Sequence, residues 1–196
     1  MKTQVKKTVT SGYLHLRNVG RVRRNLTPET CAKLINSTVT VRLDYQNALL
    51  AGCYRSVTEP LQRLQNHAAR LLSQNPRYSH ITPILRELHW LPIRERCNFK
   101  LLVLIHEALY NDAAPAYLKE MFTWYTPARP LRTEDARLIC NPRFRTYEGQ
   151  RSAPHHGAVL WNDLPFDLRK TTSKQSFKKK LKTVIFTRYF SLSFIK

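Results

Sequence analysis

No acidic residue precedes Glu29, and none follows Asp167. Bases occupy these two ends instead. Lys2, Lys6, Lys7, Arg17, Arg21, Arg23 and Arg24 lie at the start. Arg169, Lys170, Lys174, Lys178, Lys179, Lys180, Lys182, Arg188 and Lys196 lie at the finish. Over 196 residues there are 33 Lys and Arg against 13 Asp and Glu, a net charge of +20. Seven and nine bases at the ends leave 17 for the 13 acids between them, so the middle is near neutral. Basic ends around a near-neutral middle point to a polyanionic partner, most simply nucleic acid. The plainer alternative is a pair of solvated faces.

Other absences narrow the classes further. Only five glycines occur, and neither a GxxxxGK[ST] nor a GxGxxG loop is among them, so no glycine cradle for nucleotide phosphates is present. Cys31, Cys53, Cys97 and Cys140 are far apart, without a CxxC or CxxH pair, which argues against a structural zinc site. The first residues carry charge but no following apolar stretch, so no secretory signal is visible. The longest apolar run, Leu101 to Ile105, is far too short to span a membrane. A nuclear or cytoplasmic setting with free thiols is expected, not secretion.

Catalytic arrangements are missing too. Metal-dependent polymerisation needs clustered carboxylates at a strand turn. The sole adjacent acids, Glu134-Asp135, sit in a Pro- and Arg-rich stretch. His155-His156 point about 100° apart if helical, which does not suit one shared metal. His15, His67, His80, His89 and His106 are isolated, and no serine lies in a GxSxG-like elbow. The expectation is no catalytic residue, no metal and no cofactor.

What is present reads as helix broken by proline. Val5, Val9, Tyr13, Leu16 and Val19 recur at helical spacing, with Lys6, Arg17, Arg21 and Arg24 mostly on the adjoining face and Gly12 as a weak point. Thr27-Pro28-Glu29 is a start signal. The helix or helix pair after it turns Leu34, Ile35, Val39, Leu43, Ala48 and Leu49 inward, and its β-branched run Thr38 to Val41 marks a break. Thr58-Glu59-Pro60 starts another helix, with Leu61, Leu64, Ala68, Leu71 and Leu72 inside and Gln62, Arg63, Asn66 and Arg70 outside; Asn75-Pro76 ends it. Thr82-Pro83 opens a short helix ending near Trp90. Beyond Leu91-Pro92 comes the most apolar helix, with Ile93, Cys97, Leu101, Leu104, Ile105 and Ala108 inward, expected at the centre of the core. Short helices follow at 115–122 and 153–162, and a last one places Phe177, Leu181, Val184 and Ile185 on one face and lysines on the others.

The expected class is therefore mainly α, an irregular helical bundle with a small extended or hairpin segment near residues 136–148. Its expected organisation is a helical region over 1–122, a Pro/Arg-rich connection over 123–151 and a helical tail over 152–196. Candidate phosphate contacts are Lys6, Arg17, Arg21, Arg24, Arg63, Arg70, Lys174, Lys178, Lys179, Lys180 and Lys182. Tyr78, Trp90 and Trp161 lie beside Arg77, Arg94 and Arg169 in helical or sequence proximity, an arrangement that can stack bases, although Trp90 and Trp161 read first as core plugs.

Five ordered boxes carry a family resemblance. They are the Leu14–Cys53 tract with Arg-Leu-Asp-Tyr at 42–45, LQRLQNHAARLL from Leu61, HITPILRELHWLPIRERCNFKLL from His80, AAPAYL from Ala113 and LWNDLP from Leu160. Together they resemble the post-palm region of LINE-type (non-LTR) retrotransposon reverse transcriptases, of the jockey-like or chicken-repeat-like kind. Gln46 stands where those relatives commonly carry Cys. The aromatic-x-Asp-Asp box of the family's palm does not occur in these residues. The resemblance implies a thumb-like lobe that grips a primer–template duplex, and a non-catalytic remnant of an element copy. A non-functional, partly folded fragment or over-called gene, and a thumb subunit working in trans with a separate palm, are the alternatives it leaves open.

Overall fold

Capped starts and proline stops divide the chain into helices of one to six turns. The computed structural model describes residues 1–127 and 136–192; the Glu134-Asp135 pair lies outside them. Among the described residues the structure is mainly helical, and no strand extends beyond one isolated bridge.

The chain forms two compact units, Met1–Arg96 and Cys97–Lys196. In the first, α1 (Lys2–Val22) buries Val5, Gly12, Leu16 and Val19. A 3-10 turn (Arg23–Asn25) ends it. Thr27 then caps α2 (Pro28–Ile35), its Oγ1 accepting the Thr30 N–H at 3.3 Å. The β-branched run does not break the chain. It forms a π-helical turn, Asn36–Thr40, which carries straight into α3 (Val41–Asp44) and keeps Val39 and Leu43 buried. Leu49, expected inward, is 60% exposed in the 3-10 turn Asn47–Leu50.

Helix α4 (Arg55–Ser73) starts one turn earlier than Thr58-Glu59-Pro60 signals, so Pro60 lies inside it. Burial of Val57 and the Arg55–Glu59 pair at 3.2 Å hold the extra turn. Gln74, in the left-handed region at φ 54°, ends the helix. α1 and α4 pack side by side in the same direction. A Cβ on Gly12 would meet Leu64, one on Gly20 would meet Leu71, and Arg23 donates to the carbonyls of Leu71 and Leu72 at 3.2 and 3.1 Å.

After α5 (Ile81–Glu87), the Leu91-Pro92 break leaves backbone groups that glutamines of α4 satisfy. Gln65, fully buried, donates to the Leu91 carbonyl at 2.8 Å, and Gln62 accepts the Ile93 N–H at 2.8 Å. Gln62, read as an outside residue, is thus half-buried and acts as the cap of α6 (Ile93–Tyr110).

The boundary between the units falls inside α6, after Arg96. Residues beyond that point build one unit with the C-terminal helices. α7 (Ala116–Met121) and the one-turn α8 (Tyr147–Gln150) precede α9 (Ala153–Asn162), α10 (Phe166–Arg169) and α11 (Lys174–Leu192). His106 stacks on Phe177 at 4.3 Å, Trp161 lies 5.7 Å from Phe177, and Trp124 meets Trp161 edge-on at 6.4 Å. A Cβ on Gly157 would lie 2.8 Å from Ile105, so this glycine lets α9 approach α6 closely. Leu101, Leu102, Val103 and Ile105 are buried, but Leu104 is only half-buried, because an all-apolar stretch does not show which of its faces is covered. The extended segment expected near 136–148 is confined to residues 138–140. It pairs with the preceding stretch, Tyr125 N–H donating to Leu138 and Cys140 N–H to Thr123, both at 2.9 Å.

Candidate nucleic-acid interface

In the N-terminal unit, the packing of α1 on α4 arranges the basic side chains. At 100° per residue, Lys6, Tyr13 and Arg17 lie within about 40° of one another on one flank of α1. Arg63, His67 and Arg70 lie within about 60° on α4. Tyr13 meets His67 edge-on, ring centroids 5.4 Å apart, so these two flanks adjoin. Lys6, Arg17 and Arg63 are exposed. Arg63 is 3.7 Å from Glu59, a solvated pairing that leaves most of its side chain open. Burial pushes the Tyr13 hydroxyl up, against the pull of the Arg63 charge. It holds the His67 imidazole below its ordinary value, and Arg70 and Arg77 add to that effect.

Not every base is available to a ligand. Arg70 is half-buried, its Nη2 donating to the Ser79 carbonyl at 3.1 Å, so it anchors the loop after α4 and is not an open cation. Arg23, counted with the basic end, is buried, and its guanidinium binds Leu26, Leu71 and Leu72 carbonyls. Arg21 and Arg24 are exposed. Arg21 lies about 40° farther round α1 than Arg17, toward the face away from α4.

In the C-terminal unit α11 turns Phe177, Leu181 and Ile185 inward and leaves Lys178, Lys179 and Lys182 on a contiguous outer arc of about 100°. Lys174 lies one turn before Lys178 on the same flank, at the edge of the buried stripe, and pairs with Glu107 at 2.6 Å. That contact holds the Glu107 carboxyl below its usual range. Lys180 lies on the other flank, 3.3 Å from the Thr171 hydroxyl. The structure thus splits the five lysines into three open ones, one paired and one tethered.

The remaining sequence candidates resolve into packing. Trp161 is fully buried and donates its indole N–H to the Arg137 carbonyl at 3.0 Å, while Trp90 is half-buried. His155 and His156, in the first turn of α9, contact Pro142 and Asn98 separately, at 2.9 and 3.2 Å. Cys31 is buried, and that burial pushes its thiol up, away from reactivity. Among the described residues no group of three His, Cys, Asp or Glu side chains is arranged to hold a metal ion. Among them, too, no helix is long and apolar enough to cross a membrane.

Sequence reasoning singled out Tyr78 beside Arg77 but missed the Tyr13–His67 contact and the bond by which Arg70 steadies that loop. Periodicity placed Tyr13 in the α1 core stripe and gave no sign of its partner. No family model, no curated protein and no solved structure matches the chain.

Proposed function

We propose that this chain is a nucleic-acid-binding helical module of the kind that follows the palm in LINE-type reverse transcriptases. It grips the sugar–phosphate backbone and performs no chemistry of its own. One observation carries the reading: each unit exposes a run of cations on a helix whose opposite face is anchored in a core. Lys6, Arg17, Arg21 and Arg24 are exposed on or just beyond α1; Lys178, Lys179 and Lys182 are exposed on α11. Among the described residues no salt bridge engages any of the seven. Rigid rows of Lys and Arg on helices suit phosphate contact, which positions a protein on its ligand without reading sequence. An intracellular setting, nuclear or cytoplasmic, goes with such a partner.

The test is a titration of the purified chain with labelled duplexes of unrelated sequence at several salt concentrations. Affinity should be alike for all of them and fall linearly in log–log form, with a slope near roughly −4.5 if about five phosphates are neutralised. A parallel primer-extension assay with Mg²⁺ or Mn²⁺ should show no nucleotide incorporation. Binding weaker than millimolar at low salt would end the proposal.

A further inference from the structure

Tyr78 is 91% exposed, beside the exposed Arg77. Single exposed aromatic rings are common on protein surfaces, so exposure alone marks no site. Here the loop is tied down at both ends. Arg70 Nη2 donates to the Ser79 carbonyl at 3.1 Å, the Ser79 N–H bonds to Pro76 at 3.1 Å, and Asn75 Nδ2 bonds to Ser73 at 2.9 Å. The ring is therefore presented at low conformational cost, which is what a stacking partner requires.

The surroundings supply the charge. The exposed Arg63 lies seven residues before Arg70 on α4, a rise of about 10 Å toward the loop that Arg70 anchors. Tyr13 and His67 form an edge-to-face pair between the flanks that carry Lys6 and Arg17 on one side and Arg63 on the other. Acid is scarce on this track: Glu59 lies at its far end, already shared between Arg55 and Arg63. A backbone following the track from Arg63 arrives at Tyr78.

Resting on the nucleic-acid reading above, we infer that the loop of Arg77 and Tyr78 is a single-strand site: an unpaired base stacks on the Tyr78 ring while its phosphates follow Arg63, Arg17 and Arg77. A paired base in a continuous duplex keeps its faces covered by its neighbours and cannot use the ring. The site discriminates single strand, or an unpaired end, from blunt duplex, without base-edge readout.

The experiment compares full-length wild type, Tyr78→Ala and Tyr78→Phe on a labelled single-stranded oligonucleotide and on a blunt duplex of the same length. Tyr78→Ala should weaken single-strand binding on the order of tenfold. Duplex affinity and the salt slope should stay unchanged, since no charge is lost. Tyr78→Phe should bind as wild type, because a phenyl ring stacks equally well. A loss under about twofold, an equal loss on duplex, or a Phe variant as weak as Ala overturns the inference while leaving the backbone-binding reading standing. If wild type binds neither ligand, both fall together.

Discussion

Gly12 of α1 lies so close to Leu64 of α4 that a Cβ there would stand 2.3 Å from a Leu64 methyl carbon. Leu64 is fully buried, so any shift of its methyl carbons would have to be taken up inside the core. The glycine is the point of close approach between two parallel helices, and that role outweighs its poor helix propensity.

Gly12→Ala should accordingly destabilise the N-terminal unit by about 1–3 kcal/mol, the usual cost of an overpacked core, although Ala favours helix by roughly 1 kcal/mol. The sign should reverse in a Leu64→Ala background. With the methyl carbons gone, Gly12→Ala should become neutral or stabilising. Urea unfolding of the four proteins in the cycle measures this. Additive effects would show that Gly12 and Leu64 do not compete for the same space.

Arg23 and its neighbours Arg21 and Arg24 should separate into two phenotypes. Arg23→Ala removes a charged donor from the Leu71 and Leu72 carbonyls at the end of α4 and should cost about 1.5–3 kcal/mol. Arg21→Ala and Arg24→Ala, at exposed sites, should stay within about 0.5 kcal/mol and weaken nucleic-acid binding instead. Denaturation and anisotropy on the same three variants decide it. If Arg23→Ala unfolds like wild type, the guanidinium is not a cap.

How far the sequence could be read follows from these residues. Proline and cap signals are local, so the starts at Thr27-Pro28, the stop before Asn75-Pro76 and the break at Leu91-Pro92 were legible. Periodicity identified the buried stripe of α1 and the tail helix, because both are half solvent-facing. It could not name partners. Gly12 looked like a weakness and Arg23 like one base among seven, since nothing local says that α4 lies against them. Gln62 looked solvent-facing, because its partner, the Ile93 N–H, is thirty-one positions away. The apolar stretch of α6 was legible as core, but not which helices cover it. An all-round apolar helix carries no mark of which neighbour covers it, and the Gly157 approach and the His106–Phe177 stack tie it to the later helices.

His106 should make the C-terminal unit sensitive to mild acid. It is buried between Phe177 and Tyr110, with Nε2 2.8 Å from the Thr171 carbonyl. Burial holds its imidazole below the ordinary 6.5, and the Lys174 charge adds to this; the Thr171 contact and Glu107 oppose it only in part. Because the folded value is depressed, protons bind the unfolded chain more readily. Stability is complete above about pH 6.5 and falls as pH drops through that value toward the folded one. The depressed Glu107 carboxyl also loses stabilisation on acidification, but from its ordinary 4.5 downward, in a separate window. His106→Gln should flatten the stability curve between about pH 7 and 5, read by the fluorescence of the buried Trp161. A variant with the wild-type slope would assign the acid sensitivity elsewhere.

The lysines of α11 offer the sharpest test of the binding reading, because the structure ranks them. Lys178, Lys179 and Lys182 are open on one arc, so replacing all three with Ala should flatten the salt slope by about 2.7, the value for three lost phosphate contacts. Their removal should leave stability nearly unchanged, as expected of exposed positions. Lys174→Ala should do the opposite. It breaks the 2.6 Å pair with Glu107, which is partly shielded from solvent, and should cost stability while leaving the slope nearly intact. Duplex titrations at four or more salt concentrations, with thermal unfolding alongside, distinguish the two. If the triple variant keeps the wild-type slope, these lysines are a solvated face. If Lys174→Ala flattens it as much as any one of the three, the division between paired and open lysines is wrong, and binding must pull Lys174 away from Glu107.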